Sequence, residues 1–456
     1  MTAPEPVRPP PGDLIYGLED RPPFGEALFA AAQHLLAIVV GIMTPPAIIA
    51  MGMGLDMETS SYLISMALLA SGVSTFIQVR RFGPVGSGLL SIQGTSFTFL
   101  APLRSFGAAQ IAAGVPAAHV LSTIFGVCFA GSVIEIAISR GLRFLSGVFT
   151  PAVSGVIVTL IGLSLVKTSA VDICGGAALA GTPAYGAPGS LALAGLVVAV
   201  ILAANLSRNR FLRMSSIVIG LAVGYLAAAA AGRLDLKPLA GVRIFALPVP
   251  FKFGFFRFDA AAFIPVAFLY LITAVESIGD LTATSAVSRE PVEGKVYLKR
   301  LAGGVFGDGV NSALAALLNS FPNTTFSQNN GVIRLTGIAS RHVGYLIAAL
   351  LVVAGLFPVF GALFSVIPAP VLGGGTLVMF GSVAVSGIRL LSSIPLNRRN
   401  MLLIAVSLGL GMAVALEPGM ARGLPPLVAP VAGSAIITGG LAAIFLNLAL
   451  PGRRGC

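Results

Sequence analysis

The chain has 456 residues, of which 56% are hydrophobic and only 10% are charged, and its mean hydropathy is +0.95. Because soluble globular domains carry about 25% charged residues, this composition excludes a soluble enzyme and a disordered or fibrous protein, and it predicts an all-α polytopic membrane protein. The net charge of +11 is spread over scattered basic residues, so no nucleic-acid partner is expected. The few cysteines and histidines are also dispersed, which predicts no metal site.

Residues 1–26 are rich in proline and charge, and they predict a short cytoplasmic tail, not a signal peptide. Beyond this tail, apolar stretches long enough to cross roughly 30 Å of hydrocarbon recur to the end of the chain. We expect about 14 transmembrane segments, at 27–45, 60–79, 84–103, 117–138, 146–166, 188–206, 214–232, 260–286, 300–319, 322–338, 343–365, 370–388, 400–416 and 430–449. Residues 450–456 are predicted to be a second cytoplasmic tail.

The distribution of Lys and Arg among the loops predicts the orientation. With both termini in the cytoplasm, most of these basic residues fall on the cytoplasmic side, as expected for membrane proteins. The long loop 233–259 then lies outside and separates two sets of seven segments, 27–232 and 260–449. Because seven is odd, the second set enters the membrane in the opposite direction, which predicts a 7+7 inverted repeat. Thr95–Thr98 in the third segment also resembles Thr324–Ser327 in the tenth.

Two carboxylates lie within the eighth segment, where a charge costs at least about 2.5–3.5 kcal/mol. Glu276 and Asp280 are four residues apart, so a helix places both on one face. Burial and mutual repulsion favour protonation of such a pair, which suits the uptake and release of a proton during transport. A polar pair that only braces neighbouring helices is the alternative. Glu135, near the end of the fourth segment, is instead expected to form a boundary ion pair with Arg140.

The third and tenth segments contain polar runs that do not fit regular helices, Gln93–Thr98 and Asn319–Gly331. Non-helical backbone at membrane depth is tolerated only where it is buried in protein or lines a cavity. Interrupted segments at corresponding positions of two repeats indicate the substrate site of a transporter, and the helix N-termini after each break direct N–H groups towards a ligand. Two glycine-kinked helices in close contact are the alternative, but they leave the amides of Gln328, Asn329 and Asn330 unexplained.

The segment Gln328–Gly337 resembles the signature motif of the nucleobase–ascorbate transporter family, also called nucleobase:cation symporter-2. Ser320–Ser327, Glu276–Asp280 and Gly307–Asn311 resemble the purine-transporting branch of that family. The resemblance implies a 7+7 inverted repeat with extended stretches in segments 3 and 10, a core domain that carries the site and a gate domain that mediates dimerisation. It further implies elevator-type alternating access in the bacterial inner membrane, driven by the proton gradient without a cofactor.

The resemblance also assigns individual residues by position. Glu276 resembles the acid that binds purine N–H groups and is linked to the proton, and Gln328 resembles the side chain that pairs with the purine carbonyl and N–H edge. The substrate-binding set that it implies is Glu276, Gln328, Ser96, Phe97 and Ser327. The set that it implies for proton coupling or support of the site is Asp280, His34, Asp308 and Asn329.

The expected function is proton symport of an oxopurine, xanthine or uric acid, by a homodimer. A carboxylate accepts hydrogen bonds from N–H groups, and a glutamine amide both donates and accepts, which matches one edge of an oxopurine. Asp280 and Gln328 favour purines over uracil, since uracil-selective relatives usually carry histidine and glutamate there, and Ser96 leans towards uric acid. The alternatives are a uracil or broader nucleobase permease and an anion transporter or channel of related architecture. Catalytic motifs of membrane enzymes do not occur in the sequence, so no enzyme is expected.

Overall fold

The computed structural model describes residues 14–142, 148, 150–234, 239, 242–421, 423–425 and 428–450. These residues are mostly helical. The helices and strands are α1 (Phe24–Gly52), α2 (Met57–Arg80), β1 (Gln93–Thr95), α3 (Leu100–Ala112), α4 (Ala117–Arg140), α5 (Pro151–Ile173), α6 (Pro188–Asn205), α7 (Arg210–Met214), α8 (Ser216–Ala230), α9 (Ala260–Val287), α10 (Gly294–Leu317), β2 (Asn323–Thr325), α11 (Gln328–Thr336), α12 (Arg341–Gly355), α13 (Pro358–Ser365), α14 (Ala369–Ser392), α15 (Arg398–Leu416), α16 (Ala429–Ala432) and α17 (Ala435–Ala449).

Within the described ranges, eight helices are long and apolar enough to cross a membrane: α1, α2, α4, α5, α6, α9, α14 and α15. The pair α12 and α13 adds a ninth if it is counted as one segment, although it bends by 74°. Helices α8 and α17 are apolar but shorter. A multi-pass helical membrane protein is therefore confirmed, while the full set of fourteen segments stays a prediction.

The two predicted interruptions of helical structure are present. Strand β1 pairs with β2 in an antiparallel two-stranded sheet, in which Gln93 lies opposite Thr325 and Thr95 lies opposite Asn323. Outside the strands, Ser96 donates its backbone N–H to the Pro322 carbonyl at 2.8 Å. The extended backbone thus finds its hydrogen-bond partners in the other interrupted segment, which removes the cost of leaving it unpaired at membrane depth.

Glycine allows the two interrupted segments to lie this close to α1. A Cβ atom at Gly94 would stand 2.5 Å from the Phe326 ring, and a Cβ atom at Gly41 of α1 would stand 2.9 Å from the same ring. Phe326 is 6% exposed and therefore fills the space between β1 and α1. Any larger residue at Gly94 forces this ring out of place, because real Cβ atoms do not approach so closely.

The N-terminal part of the chain is more ordered than a solvated tail. Helix α1 begins at Phe24, three residues before the predicted segment at 27–45. The preceding backbone pairs with the α11–α12 connection, where the N–H of Ala339 donates to the Tyr16 carbonyl at 2.9 Å. Leu18 is buried with Leu281 in a small apolar cluster. Residues 1–13 of the predicted tail, and residues 451–456 of the C-terminal tail, lie outside the described residues.

The predicted boundary ion pair of Glu135 is wrong. Glu135 is fully buried and accepts a hydrogen bond from the Thr273 hydroxyl of α9 at 3.3 Å. The Arg140 guanidinium lies over the Phe306 ring, 5.2 Å from its centroid. Glu135 points into the helix bundle because α4 packs against α9 and α10. A position near the end of a predicted segment does not show which face of the helix the side chain occupies.

Candidate substrate site at the crossing of the two interrupted segments

The two carboxylates on α9 contact the two interrupted segments separately. Glu276 accepts a hydrogen bond from the Thr98 hydroxyl, just beyond β1, at 3.2 Å. Asp280, one turn further along α9, accepts from the Thr325 hydroxyl of β2 at 3.3 Å. Because the two carboxylates are one helical turn apart on α9, each interrupted segment forms a hydrogen bond with a different carboxylate.

These carboxylates have other carboxyl groups, not cations, as their charged neighbours. Within the described part of the chain, the charges that act on Asp280 are those of Glu276 and Asp308. The Arg–Glu ion pairs Arg300–Glu290 and Arg341–Glu19 involve other residues. A site of this kind is poorly suited to a bare anion and well suited to a ligand that brings N–H groups.

The crossing has one open side. Glu276 and Asp280 are half-buried, and Ser327 and Gln328 at the start of α11 are exposed. By contrast, Ser96 is only 2% exposed. The side chains available to a ligand are thus the two carboxylates and the first residues of α11, whereas Ser96 offers its hydroxyl to the Thr98 backbone N–H at 3.3 Å.

An aromatic pair borders the same place. Phe97 and Phe326 are stacked with an interplanar angle of 20° and a centroid separation of 6.4 Å. The edge of Phe97 also meets Phe380 of α14, with centroids 5.3 Å apart and rings at 80°. Phe97 is half-buried, so part of its face is free to contact a flat ring, and Phe380 fixes its orientation.

Two helices begin at the crossing. At the start of α11 the N–H groups of Asn329 and Asn330 donate to the carbonyls of Phe326 and Ser327 at 3.2 and 3.0 Å, so this end of the helix contributes mainly the positive end of its dipole. A 3₁₀ turn at Phe97–Phe99 leads into α3, and α11 starts at Gln328 with no side-chain hydrogen bond from its N-cap residue Ser327. The helix dipole places partial positive charge at the start of a helix. Carbonyl oxygens of a ligand are favoured at such a position.

Helix α11 is held in place by two amide side chains that follow Gln328. Asn330 accepts a hydrogen bond from the Thr284 hydroxyl of α9 at 2.8 Å, one turn beyond Asp280. Asn329 is fully buried and donates to the Leu90 carbonyl ahead of β1. Gln328 is therefore carried on a helix whose start is anchored on both sides, which orients its exposed amide.

Asp308 lies behind α9 and not at the opening. It is fully buried and accepts hydrogen bonds from the Gln78 amide at 3.0 Å and from the Ser277 hydroxyl. The Ser277 hydroxyl is also 3.3 Å from the Thr324 hydroxyl of β2. Asp308 thus joins α2, α9 and α10 through Ser277, the residue that follows Glu276.

His34 lies on α1 and is also fully buried. Among the described residues, neither of its ring nitrogens has a hydrogen-bond partner of good geometry, and its polar neighbour is the Asn329 side chain. The ring therefore contacts the segment that carries Gln328, not the opening itself. Groups of three or more His, Cys, Asp or Glu side chains able to hold a metal ion are absent from the described ranges.

The structure adds two residues that the sequence interpretation did not select. Thr98 and Thr325 supply the hydroxyls that bind the two carboxylates, while Phe326, which the sequence already suggested as a contact for a flat ring, supplies the second aromatic ring. All three belong to the matching runs Thr95–Thr98 and Thr324–Ser327, so the internal similarity was the available signal. Arg334, in the last turn of α11, is exposed.

The fold and this site define a multi-pass transporter. The family described as "Permease family" (Xan_ur_permease) matches residues 25–420. The chain therefore belongs to this family of permeases, the nucleobase–ascorbate transporters, and is not an enzyme.

Curated relatives match almost the full length of the chain. The xanthine permease XanP of Escherichia coli is 46% identical over 96% of this chain and 95% of its own. The xanthine permease XanQ of the same organism is 44% identical over 96% and 94%. The uric acid permease PucJ of Bacillus subtilis is 34% identical over 91% and 90%.

Solved structures with the same fold are distant in sequence. The transmembrane domain of the cyanobacterial bicarbonate transporter BicA has a TM-score of 0.61 at 16% identity, covering 92% of this chain and all of that one. The murine anion transporter Slc26a9, in its inward-facing state, also gives 0.61, at 12% identity, covering 92% of this chain and 68% of that one. These similarities concern the fold alone.

Proposed function

We propose that this permease imports an oxopurine, xanthine or uric acid, together with protons. The observation that carries the proposal is the placement of Glu276 and Asp280, each against one interrupted segment. The exposed Gln328 lies between Thr325 and Asn330, and both of these bond to α9. The relatives named as xanthine and uric acid permeases support the same substrate class.

In the proposed complex, the purine lies at the crossing with its ring near Phe97. Glu276 accepts N–H groups of the substrate, while Gln328 pairs with an adjacent carbonyl and N–H. The positive ends of the two half-helix dipoles face the remaining carbonyl oxygens, with Ser96 and Ser327 at those positions. Asp280, Asp308, His34 and Asn329 support this arrangement, and the α9 carboxylates exchange the proton with the proton gradient; no further cofactor is needed.

The architecture that we propose with this function is a 7+7 inverted repeat of fourteen segments, 27–232 and 260–449, joined by the outer loop 233–259. A core domain with the crossing strands moves against a gate domain that forms the homodimer, in an elevator-type cycle. Both termini face the cytoplasm, and the protein resides in the bacterial inner membrane.

The experiment is uptake of radiolabelled xanthine and uric acid into proteoliposomes, with and without a proton gradient. Wild-type protein is expected to accumulate at least one of them, and an uncoupler should abolish accumulation. Glu276→Gln keeps the size of the side chain but removes the carboxylate, so gradient-driven accumulation should fall at least tenfold. Glu293→Gln, at an exposed glutamate ahead of α10, is the control and should behave as wild type.

Competition separates the alternatives. Uracil that competes as well as xanthine would replace the assignment by a broader nucleobase permease. Bicarbonate or sulfate flux that is insensitive to purines would favour an anion transporter, the activity named for the proteins of similar fold. Normal accumulation of xanthine by Glu276→Gln would contradict the role of that carboxylate.

A further inference from the structure

A cavity lies at the far end of α11, away from the crossing. It has a volume of about 330 Å³, near the lower limit of small-molecule sites, which span roughly 300–1,000 Å³. The N-terminal segment, the first turns of α1, the end of α11 and Met214 of α7 enclose it. Leu335 and Thr336 line it from α11, about 11 Å along the helix axis from Gln328 at 1.5 Å per residue.

The polar groups in this cavity have hydrogen-bonding capacity to spare. Gln33 is 8% exposed, and its amide oxygen finds no hydrogen-bond partner among the described residues. The Glu26 carboxyl is exposed and stands near the Tyr16 hydroxyl, and a hydrogen bond to Glu26 raises the pKa of Tyr16. A buried acceptor without a donor is costly, so a ligand that brings N–H groups is favoured here.

An aromatic ring completes the set. Phe29 lies on the wall of the cavity and is 59% exposed. The cavity therefore offers a carboxylate, a glutamine amide and a phenylalanine ring, the same three kinds of group that Glu276, Gln328 and Phe97 bring to the crossing. A flat molecule with N–H groups along one edge suits both places.

An open face of α11 connects the two places. Gln328, Gly331 and Leu335 are spaced at i, i+3 and i+7 and thus share one side of the helix. Gln328 and Gly331 are exposed, and a Cβ atom built on Gly331 meets no atom within 4 Å. Leu335 then reaches the cavity. The middle of this face, at Gly331, therefore carries no side chain between Gln328 and the cavity.

We propose that this cavity is a second oxopurine site, in which Glu26 and Gln33 bind the N–H edge of the substrate and Phe29 contacts its ring. It binds more weakly than the crossing, because Glu26 and Phe29 are exposed and water competes for them. Residues of the N-terminal segment line this cavity. A purine therefore occupies it on the way between the crossing and the side of the membrane where the N-terminal segment lies. This inference rests on the proposed function.

The test is binding of radiolabelled xanthine and uric acid to purified full-length protein in detergent, titrated from micromolar to millimolar concentration. Wild type should bind two purines per chain, one tightly and one weakly. Glu26→Gln should lose the weak component, with its affinity at least tenfold lower, and keep the tight one. Glu276→Gln should show the reverse. Glu58→Gln is the matched control, since Glu58 occupies the first turn of α2 as Glu26 occupies that of α1, and it should keep both components.

The exposed Phe29 gives a second variant that does not depend on the charge at Glu26. Phe29→Ala should weaken the same component as Glu26→Gln and keep the tight one. One purine per chain in wild type, unchanged by Glu26→Gln and Phe29→Ala but lost in Glu276→Gln, would overturn the second site and leave the proposed function standing. No purine binding by wild type at any concentration would overturn both.

Discussion

The crossing region and the contact between α5 and α14 are both buried within an apolar chain, but they bury different chemistry. Around the crossing, polar side chains lie behind the site and bond neighbouring polar groups. The Ser312 hydroxyl, for example, donates to the Asn323 backbone carbonyl and accepts from the Asn323 backbone N–H, both at 3.1 Å. Between α5 and α14, glycine brings the backbones together: a Cβ atom at Gly162 would lie 2.3 Å from the Ala384 nitrogen, and one at Gly387 would lie 2.3 Å from the Thr159 nitrogen.

The difference shows how one chain can combine a polar site with tight helix packing. In lipid, apolar surface gives little drive for helices to associate, so close approach of small residues and interhelical hydrogen bonds take its place. The α5–α14 contact relies mainly on shape, with the hydroxyls of Ser169 and Thr376 bonded across it at 2.9 Å, whereas the crossing relies on hydrogen bonds that satisfy buried polar groups. Substitutions that enlarge a side chain should therefore reduce stability most strongly at the α5–α14 contact. Substitutions that remove a hydrogen-bond donor should instead lower ligand affinity at the crossing.

The largest effect is expected from Gly162→Val. The new side chain meets the Ala384 backbone, which cannot move away as a flexible side chain can, so α5 and α14 must separate. Overpacking of this kind costs typically about 1–3 kcal/mol and occasionally more. We expect a clear drop in the thermal midpoint in detergent and less monodisperse protein by size-exclusion chromatography.

Gly195→Val is the matched control for that experiment. Gly195 also lies within an apolar helix, α6, but it is exposed and a Cβ atom there meets nothing within 4 Å. Its thermal midpoint should stay within about 1 °C of wild type, or rise, since valine is a better helix former than glycine. Equal destabilisation by the two variants would show that shape at the α5–α14 contact is not what matters.

An intermediate effect is expected when the crossing loses one of its hydroxyl donors. Thr98→Val removes the hydrogen bond to Glu276 with almost no change in volume, and Thr325→Val removes the one to Asp280. A hydrogen bond contributes about 0.5–1.5 kcal/mol, so the KM for purine uptake should rise about two- to tenfold in Thr98→Val. Thr325→Val should change KM less, because Asp280 is proposed to support the site and not to bind the substrate.

The two threonine variants share a readout that distinguishes binding from folding. Both should melt close to wild type, since each carboxylate is half-buried and water can replace the lost donor. A larger rise in KM for Thr325→Val than for Thr98→Val would exchange the proposed roles of the two carboxylates.

The sequence signals that select the candidate site are local. The spacing of Glu276 and Asp280, the interruptions in segments 3 and 10 and the motif that begins at Gln328 are all visible within a few residues. The helix bounds also agree with most of the expected segments to within several residues, because apolar length is set by the thickness of the bilayer.

What the sequence did not reveal are contacts between distant residues. The register that places Gln93 opposite Thr325, and the packing of the N-terminal backbone against Ala339, depend on how separate segments meet. Glu135 shows the same limitation. The hydroxyls one helical turn away, those of Ser132 and Ser139, donate to backbone carbonyls of their own helix, and the Thr273 hydroxyl that binds Glu135 comes from another helix. Hydropathy and spacing describe one segment at a time, so they do not identify such partners.

The smallest effect is expected from Gly331→Ala. This variant adds a side chain at a glycine of the crossing region, as Gly162→Val does at the α5–α14 contact. Gly331 lies inside α11, and an added Cβ atom meets no atom within 4 Å. Alanine favours the helix by roughly 0.8–1 kcal/mol over glycine, so the thermal midpoint should stay unchanged or rise slightly. If purine uptake nevertheless fell severalfold while the midpoint held, another part of the protein must close on this face of α11 during transport, because the face is open in the present structure. A lower midpoint would instead show that the open space beside Gly331 is filled in the protein as purified.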